Sequence, residues 1–377
     1  MRVAVVAEFY PRAHDPVLGV WAHRQALAAR EAGAEVSVFV LHRVVPPKRD
    51  LAAVAALARQ PRHAQLDGLD VRYVRYVSPP RGRSYARWGA WAAPALRRAL
   101  ARAAPFDLVH AHNAVPAGDA VLRTGAGLSL VTSVHGGDVL WTSSRVPGGR
   151  AAVERVFGRS ALVLANSAAI EGLTRAHGAT DTRVVHLGSD VPAASSLGAE
   201  PPLLVSVGHL VARKRHDDVL AALGELAGVR YLVIGDGPER ARLERLAHSL
   251  GVGDRVEFAG QLAPADALAR ARTATCFVMP STDEAFGVAY IEAMAAGIPA
   301  VGCAGEPGPQ EIAAAGGGIV LVAPRSPGAL AQCLRGLLGD RRLLHSVGDA
   351  GRATVQREFT WKRCGEQTLS AYAQALR

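Results

Sequence analysis

Short apolar runs recur along the chain at Val3–Ala7, Val36–Leu41, Val71–Val77, Leu108–His112, Leu130–Val134, Leu162–Asn166 and Val184–Leu187, with alanine-rich stretches between them. Unbroken apolar runs suit strands covered on both faces. Their alternation with helices predicts a parallel sheet with helices on either side. The polar, small-residue stretch Val191–Pro202 then interrupts the pattern, and it restarts at Leu203–Val207. Tyr231–Ile234, Val256–Ala259, Cys276–Met279, Ala300–Gly302 and Ile319–Val322 follow as further strands. The expected architecture is α/β, with two doubly wound domains, residues 1–190 and 203–359, joined by a linker at 191–202. Ligands of such open sheets bind beyond the carboxyl ends of the strands. Two such edges facing each other would form an interdomain cleft.

One strand-loop-helix segment concentrates the chemistry. Cys276–Ser281 leads into a polar loop carrying Glu284, and a helix is expected from near Gly287, with Glu292 about a turn inside it. Eight residues of helix rise about 12 Å, well beyond the roughly 5 Å between the two carboxyl groups of a retaining hydrolase. The two glutamates therefore suit opposite parts of an elongated ligand rather than one shared proton. Small residues (Ala289, Ala293, Ala295, Ala296) permit close backbone approach, and the first helical amides form an anion site. A lone glutamate in such a place would otherwise be a solvated charge at a helix start.

This segment resembles the EX7E signature of the retaining GT-B glycosyltransferases of family 4, and further strings extend the resemblance over nearly the whole chain. GHLVARKRHDDVL (208–220) is similar to the family's phosphate-binding loop and helix, VIGDGPERARLERL (233–246) to its next strand and helix, and VEFAG (256–260) to the strand after that. HGGDV (135–139), ANS (165–167) and the closing FTWKRCGEQTLSAYAQAL (359–376) also match. The resemblance implies a GT-B fold of two Rossmann-like domains, the first on the acceptor side and the second binding the donor, with the closing helix, about 360–377, packed back on the first. It implies a hexosyltransferase that moves a sugar from a UDP-, GDP- or ADP-sugar to a glycan or lipid-linked acceptor with retention, in cell-surface polysaccharide or glycolipid synthesis. A sugar-nucleotide-binding protein without turnover and a GT-B-type nucleotide-sugar epimerase are the alternatives.

In this reading Glu284 and the backbone of Ala285, Phe286, Gly287 and Val288 hold the sugar, while Glu292 accepts hydrogen bonds from the ribose. Lys214 faces the leaving diphosphate, where fixed cations offset developing charge without a metal. The family's arginine, five positions before that lysine, is replaced by His209, which carries full charge only below its pKa. Arg213 or Arg215 is the candidate compensating cation; the alternative for each is an exposed charge at a helix start. Asp217 and Asp218 start that helix. Gly235 opens the glycine-rich GDGPER loop, which by itself is a weak dinucleotide signal: the three-glycine fingerprint is absent at the amino end. His135 matches the histidine that contacts the transferred sugar, and Asp138 either contacts sugar or caps the next helix. Gly19, in the loop after the first strand, would let backbone amides approach the donor phosphates, unless it is a plain turn glycine.

Composition adds a little. The chain has 377 residues, 49% hydrophobic and 20% charged. No apolar run reaches the length of a membrane span, and MRVAVVAEFYP reads as a strand rather than a signal peptide, so a cytoplasmic location is expected. Cys276, Cys303, Cys333 and Cys364 lack metal-ligand spacing and read as free thiols. His110 and His112 share a strand face but have no third ligand nearby, so they read as satisfied polar groups. No cofactor and no divalent metal are expected. The formal net charge is +10, and no acidic residue occurs from Val71 to Phe106, where Arg72, Arg75, Arg81, Arg83, Arg87, Arg97, Arg98 and Arg102 interleave with Tyr85, Trp88 and Trp91. That mixture suits an anionic membrane surface on the inner face of the plasma membrane. No nucleic-acid module is recognisable, so nucleic acid is not an expected partner.

Overall fold

A computed structural model describes residues 1–45, 54–55, 57, 59–195 and 198–377. Positions 196 and 197 of the expected linker therefore lie outside the described residues. The chain divides into two compact units, Met1–Leu187 with Trp361–Arg377, and Gly188–Thr360.

The first unit holds an eight-stranded sheet in the order β3-β4-β2-β1-β5-β6-β7-β8. Its strands are β1 (Arg2–Ala7), β2 (Glu35–Arg43), β3 (His63–Leu66), β4 (Leu69–Tyr76), β5 (Leu108–His112), β6 (Ser129–Val134), β7 (Leu162–Ala165) and β8 (Thr182–Val184). All pairings are parallel except β3 with β4. Two expectations need correction. The edge hairpin strand β3 was not anticipated: HAQL has too few apolar residues to register as a strand, and the turn at Asp67–Gly68, both with positive φ, folds it back on β4. The expected strand at Val184–Leu187 lies earlier, at Thr182–Val184. Val185 still donates to the Ala165 carbonyl of β7 at 2.8 Å, and Leu187 is buried past the end of the ladder.

The helix Trp361–Ala375 returns to the first unit. Its buried residues Trp361, Cys364, Gly365, Thr368, Ala371 and Tyr372 fall on one helical face. Gly365 meets the helix Val20–Glu31 so closely that a Cβ there would lie 2.1 Å from the Ala28 carbonyl oxygen. Gln25 Nε2 donates to Thr368 Oγ1 at 3.2 Å, and the Tyr372 hydroxyl lies 2.8 Å from His110 Nδ1, tying the helix to the sheet interior.

The second unit is an all-parallel six-stranded sheet in the order β11-β10-β9-β12-β13-β14. Its strands are β9 (Leu203–Val207), β10 (Arg230–Ile234), β11 (Val256–Gly260), β12 (Cys276–Val278), β13 (Ala300–Cys303) and β14 (Ile319–Val322). Leu204, Val219, Leu223, Tyr231, Val233 and Leu334 belong to one continuous core on this sheet. The order reverses between β9 and β12 in this unit, and between β1 and β5 in the first. Loops leaving adjacent strands toward opposite sides open a crevice at such points. All four cysteines are free, three buried and Cys333 partly so.

Gly365→Ala tests the helix return. The added methyl must displace backbone rather than a flexible side chain, so a loss of about 1–3 kcal/mol is expected, read as a lower urea midpoint. An unchanged midpoint would show that the two helices separate freely.

Candidate active site

The crevice of the second unit forms where the loops after β9 and β12 meet. After β9 the chain runs through Gly208 and Leu210 into a 3-10 turn, Ala212–Lys214. Backbone bonds Gly208 N–H to Ile234 O (3.0 Å) and Leu210 N–H to Asp236 O (3.0 Å) hold this segment to the loop after β10. Gly235, with φ of 139°, sits where a Cβ would lie 2.0 Å from the Gly208 carbonyl oxygen, so its glycine identity follows from packing two loops together. The loop after β12 joins the same assembly through Thr282 N–H to Arg213 O at 2.8 Å.

Glu284 and Lys214 meet at this junction. Lys214 Nζ donates to Glu284 Oε2 at 2.6 Å, Ser281 Oγ donates to the same oxygen at 3.1 Å, and Arg213 Nη1 stands 3.6 Å from it. The pair is close to fully buried, Glu284 being 8% and Lys214 9% exposed. Burial alone would raise the Glu284 pKa. The charges of Lys214 and Arg213 and the hydrogen bonds from Lys214 and Ser281 outweigh it and hold the carboxyl below its ordinary value. Lys214 and Ser281 both donate to Oε2, and the Arg213 guanidinium faces the same oxygen.

Three neighbours were not foreseen from the sequence. Tyr290, buried, donates to the Met279 carbonyl and contacts Ser281 Oγ at 3.2 Å. Ser281 thereby links Tyr290 to Glu284. Glu306 Oε2 accepts from the Glu284 amide at 3.2 Å. A usable signal for Glu306 existed, since a carboxylate directly before Pro307 marks a helix start. Gly287 (φ 95°) precedes the helix Val288–Ala295 as expected, and Glu292 is half-buried in that helix. Phe286 is buried against Phe359, ring centroids 5.6 Å apart, so only its backbone can serve a ligand. Ala285 and Val288 flank it in the same loop and first turn.

The cations divide. Arg213 joins Lys214 on Glu284, but Arg215 forks onto Asp218 at 2.9 and 2.7 Å and also faces Asp217 at 3.5 Å. Arg215 is therefore committed to the start of the helix His216–Gly224, which is reached through a left-handed residue rather than capped by Asp217. His209 is exposed.

In the first unit, polar groups gather at the carboxyl ends of β1, β5 and β6. Asp138 is buried and accepts from the amides of Ala114 (2.9 Å) and Val115 (3.2 Å) and from Asn113 Nδ2 (3.2 Å). It ties the β6 loop to the β5 loop, and it lies in the first turn of the helix that follows rather than capping it. Burial pushes its pKa up to about 6 against those three bonds. Glu8 ends the β1 segment and accepts from the Tyr85 hydroxyl at 2.7 Å. Gly19 (φ 67°) begins the helix Val20–Glu31, and a Cβ there would lie 2.2 Å from the Phe9 carbonyl. Its backbone shape and packing already require glycine.

His135, half-buried at the end of β6, has its Nε2 3.1 Å from His112 Nδ1, and burial lowers its pKa to about 4. His110 is satisfied on both nitrogens, by Tyr372 and by Ser133. His112 is not, because its Nε2 has no hydrogen-bond partner. The expectation of a satisfied pair thus holds for His110 alone.

The arginine-rich segment also differs from expectation. Tyr85 and Trp88 are buried and face the interior, and Trp88 supports the Arg43 guanidinium 4.9 Å from its ring centre. Trp91, 53% exposed, is the aromatic of the three that reaches the surface.

Two parallel-sheet units with their polar loops at the switch points constitute the GT-B fold. Sucrose-phosphate synthase from Thermosynechococcus elongatus superposes with a TM-score of 0.79 at 20% identity, covering 99% of this chain and 98% of that one. Anabaena Alr3699/HepE, solved in complex with UDP and glucose, gives 0.73 at 19% identity, covering 99% of both. Each half of the chain also matches a family model: residues 18–191 the model Glycosyltransferase Family 4, and residues 190–354 the model Glycosyl transferases group 1. The chain therefore carries a glycosyltransferase domain in each half. A GDP-mannose-dependent alpha-(1-6)-phosphatidylinositol monomannoside mannosyltransferase of Mycobacterium tuberculosis is 32% identical over 173 residues, 43% of this chain and 45% of that protein. The lipopolysaccharide core biosynthesis glycosyltransferase LpsE of Rhizobium meliloti is 32% identical over 178 residues, 47% and 50%. These alignments span about half the length of the relatives they match.

Removing the cation tests the buried pair. Glu284 has a folded pKa below its unfolded one, so its contribution is present above the unfolded pKa and is lost as pH falls through the folded value. In Lys214→Met, burial dominates and the shift reverses, leaving a buried carboxylate without its closest cation. We expect about 3 kcal/mol of destabilisation at pH 7, measured by urea unfolding, with the deficit shrinking toward pH 4. A pH-independent deficit would argue against the pairing.

Proposed function

We propose that the protein is a hexosyltransferase that moves a hexosyl unit from a sugar nucleotide to a hydroxyl of a glycan or lipid-linked acceptor with retained configuration, in cell-surface polysaccharide or glycolipid synthesis. One observation carries this reading: Lys214 and Glu284 are buried together at the switch point of the second unit, where a nucleotide ligand of such a sheet binds. A cation held in place out of water stabilises a leaving phosphate more strongly than a solvated one does. Lys214, with Arg213, is assigned to the leaving diphosphate, and His209 to a hydrogen bond at its rim. Glu284, with the backbone of Ala285, Phe286, Gly287 and Val288, is assigned to the sugar hydroxyls, and Glu292 to the ribose. The loop containing Gly235 borders the nucleoside. In the first unit, His135 is assigned to the transferred sugar and the loop at Gly19 to the phosphates.

In the proposed step the bond from the anomeric carbon to the phosphate oxygen breaks, its electron pair passing to the diphosphate. The acceptor oxygen bonds to the same face of that carbon, and its proton goes to the departing phosphate. No enzyme nucleophile is required, and no divalent cation is assigned, because lysine and arginine meet the phosphate charge.

The donor is a UDP-, GDP- or ADP-sugar; the Mycobacterium tuberculosis relative is GDP-mannose-dependent, and Anabaena Alr3699/HepE has been solved in complex with UDP-glucose. With the best of these donors, Lys214→Ala and Glu292→Ala should each lower donor turnover at least about tenfold, the loss of one charge-assisted contact. Turnover should survive EDTA. Near-normal turnover in both variants would sink the site assignment. Donor binding with no product across acceptors would favour a binding protein, and an altered free sugar nucleotide an epimerase.

For the acceptor side we infer contact with an anionic membrane surface. Among the described residues no helix is long and apolar enough to cross a membrane. Two of the hollows on the surface of the first unit are lined by arginines without a carboxylate. One, of about 440 Å³, is walled by Pro79, Pro80, Arg83, Arg87 and Trp91. The other, of about 360 Å³, has Arg62, Arg72, Arg75, Arg98 and Arg102 in its lining and no acidic residue. Each basic side chain near an acidic bilayer contributes about 1 kcal/mol. Arg98→Glu with Arg102→Glu should therefore lower sedimentation with phosphatidylglycerol vesicles more than about tenfold at low salt, with folding unchanged by circular dichroism. Equal binding to neutral and anionic vesicles would remove the membrane from this reading.

A further inference from the structure

Among the described residues of the first unit, several buried side-chain nitrogens have no hydrogen-bond partner, and three of them, Trp21 Nε1, His112 Nε2 and His135 Nδ1, stand beside the carboxyl ends of β5 and β6. They belong to one cluster. The His112 and His135 rings are nearly parallel, 5° apart with centroids at 5.3 Å, and the Trp21 ring lies 6.1 Å from that of His135. Buried polar atoms in folded proteins are almost always hydrogen-bonded. A group of three in one place at strand carboxyl ends is therefore fitted to something polar that arrives from outside the chain.

The proton count decides what the two histidines can offer. Both are neutral at neutral pH, since burial lowers both pKa values, and a neutral imidazole has one N–H and one lone pair. One hydrogen lies between His112 Nδ1 and His135 Nε2, which are 3.1 Å apart. If His112 holds it, His135 must carry its own proton on Nδ1 and His112 Nε2 is bare. If His135 holds it on Nε2, His135 Nδ1 is bare and His112 carries its proton on Nε2. The two rings thus share one tautomer, and their unpartnered nitrogens are always one donor and one acceptor.

We propose that His112 is a positioning residue that acts through His135: the hydrogen they share couples the two tautomers, so that His112 sets whether His135 Nδ1 meets a sugar hydroxyl as donor or as acceptor. A hydroxyl both donates and accepts, so it can meet His135 Nδ1 in either tautomer, whereas an anion, which only accepts, can meet it in one. Trp21 adds a donor and an apolar face, a combination that suits a pyranose ring. The inference deepens the assignment of His135 to the transferred sugar and rests on the proposed transferase activity for its kinetic consequence only.

Long-range proton–nitrogen correlation spectra of the full chain labelled with 15N-histidine read the tautomers directly, without a substrate. The expected result is one tautomer common to His112 and His135, and in His112→Phe a His135 released into a mixture of the two. Unlike tautomers in the wild-type protein, or a His135 signature unaltered in His112→Phe, would overturn the proposal whether or not any sugar is transferred. With UDP-glucose or GDP-mannose, whichever turns over, His112→Phe should lower kcat about tenfold, the worth of one hydrogen bond in the transition state, with KM little changed. His112→Asn, whose amide can take the place of Nδ1, should recover part of the loss. Equal losses in the two variants would reduce His112 to a packing role.

Discussion

The contact between Lys214 and Glu284 constrains everything around it. Two opposite charges are withdrawn from water at a distance of 2.6 Å, and the desolvation of each is tolerable only while the other is present. That condition fixes the separation of the loops after β9 and β12, since Lys214 ends a 3-10 turn in one and Glu284 lies near the end of the other. The backbone bond from Thr282 to Arg213 and the contact of Glu306 with the Glu284 amide then complete the frame. A ligand phosphate entering here would find a cation whose counter-ion is already in place. Anion binding would shift Lys214 between two acceptors rather than neutralise an isolated charge.

The glycines in this region are explained by the same closeness. Gly235 has a backbone carbonyl where its Cβ would be, Gly237 is in the same position against Leu210, and Gly308 against Phe286. Strand ends in a parallel sheet are about one strand spacing apart, and polar loops leaving them must pass through one another's side-chain space. Where two backbones touch, the residue whose Cβ would point at the other must be glycine. The glycine-rich GDG loop is therefore first a packing device. Any contact it makes with a nucleoside follows from backbone exposed by that packing.

Much of this was legible in the chain. Apolar runs such as Val3–Ala7 and Leu203–Val207 became strands because a run without alternation has no solvent face to offer, and the reversal of strand order followed from their number and connection. The Glu284 loop, the Gly287 start and the helix carrying Glu292 were readable from turn and helix signals in one continuous segment. What escaped depends on contacts between segments distant in sequence. The Lys214–Glu284 pairing joins residues 70 positions apart, and the Asp138 link to Ala114 spans 24. No local pattern marks either one. Tyr85 and Trp88 misled for a related reason: arginine neighbours suggested an exposed face, but a 3-10 turn at Tyr85–Arg87 rotates the segment so that the aromatics point inward and several arginines outward.

The two polar centres differ in kind, and the difference bears on chemistry. In the second unit the groups are charged and matched, with an ammonium 2.6 Å and a guanidinium 3.6 Å from one carboxylate oxygen. In the first unit the group around His135 is neutral, because burial favours the uncharged imidazole and no carboxylate is paired with either His112 or His135 among the described residues. A protonated histidine there would need a counter-ion that the neighbouring His110, Ser133 and Trp21 do not supply. Charged matter such as a diphosphate is suited to the first kind of environment and is poorly served by the second. Hydroxyl groups, which gain from a donor and an acceptor without bringing charge, are suited to the second. Each unit thus selects by the cost of desolvation as much as by the contacts it makes, and a neutral centre built from histidines keeps its selectivity only above the pH at which those rings begin to charge.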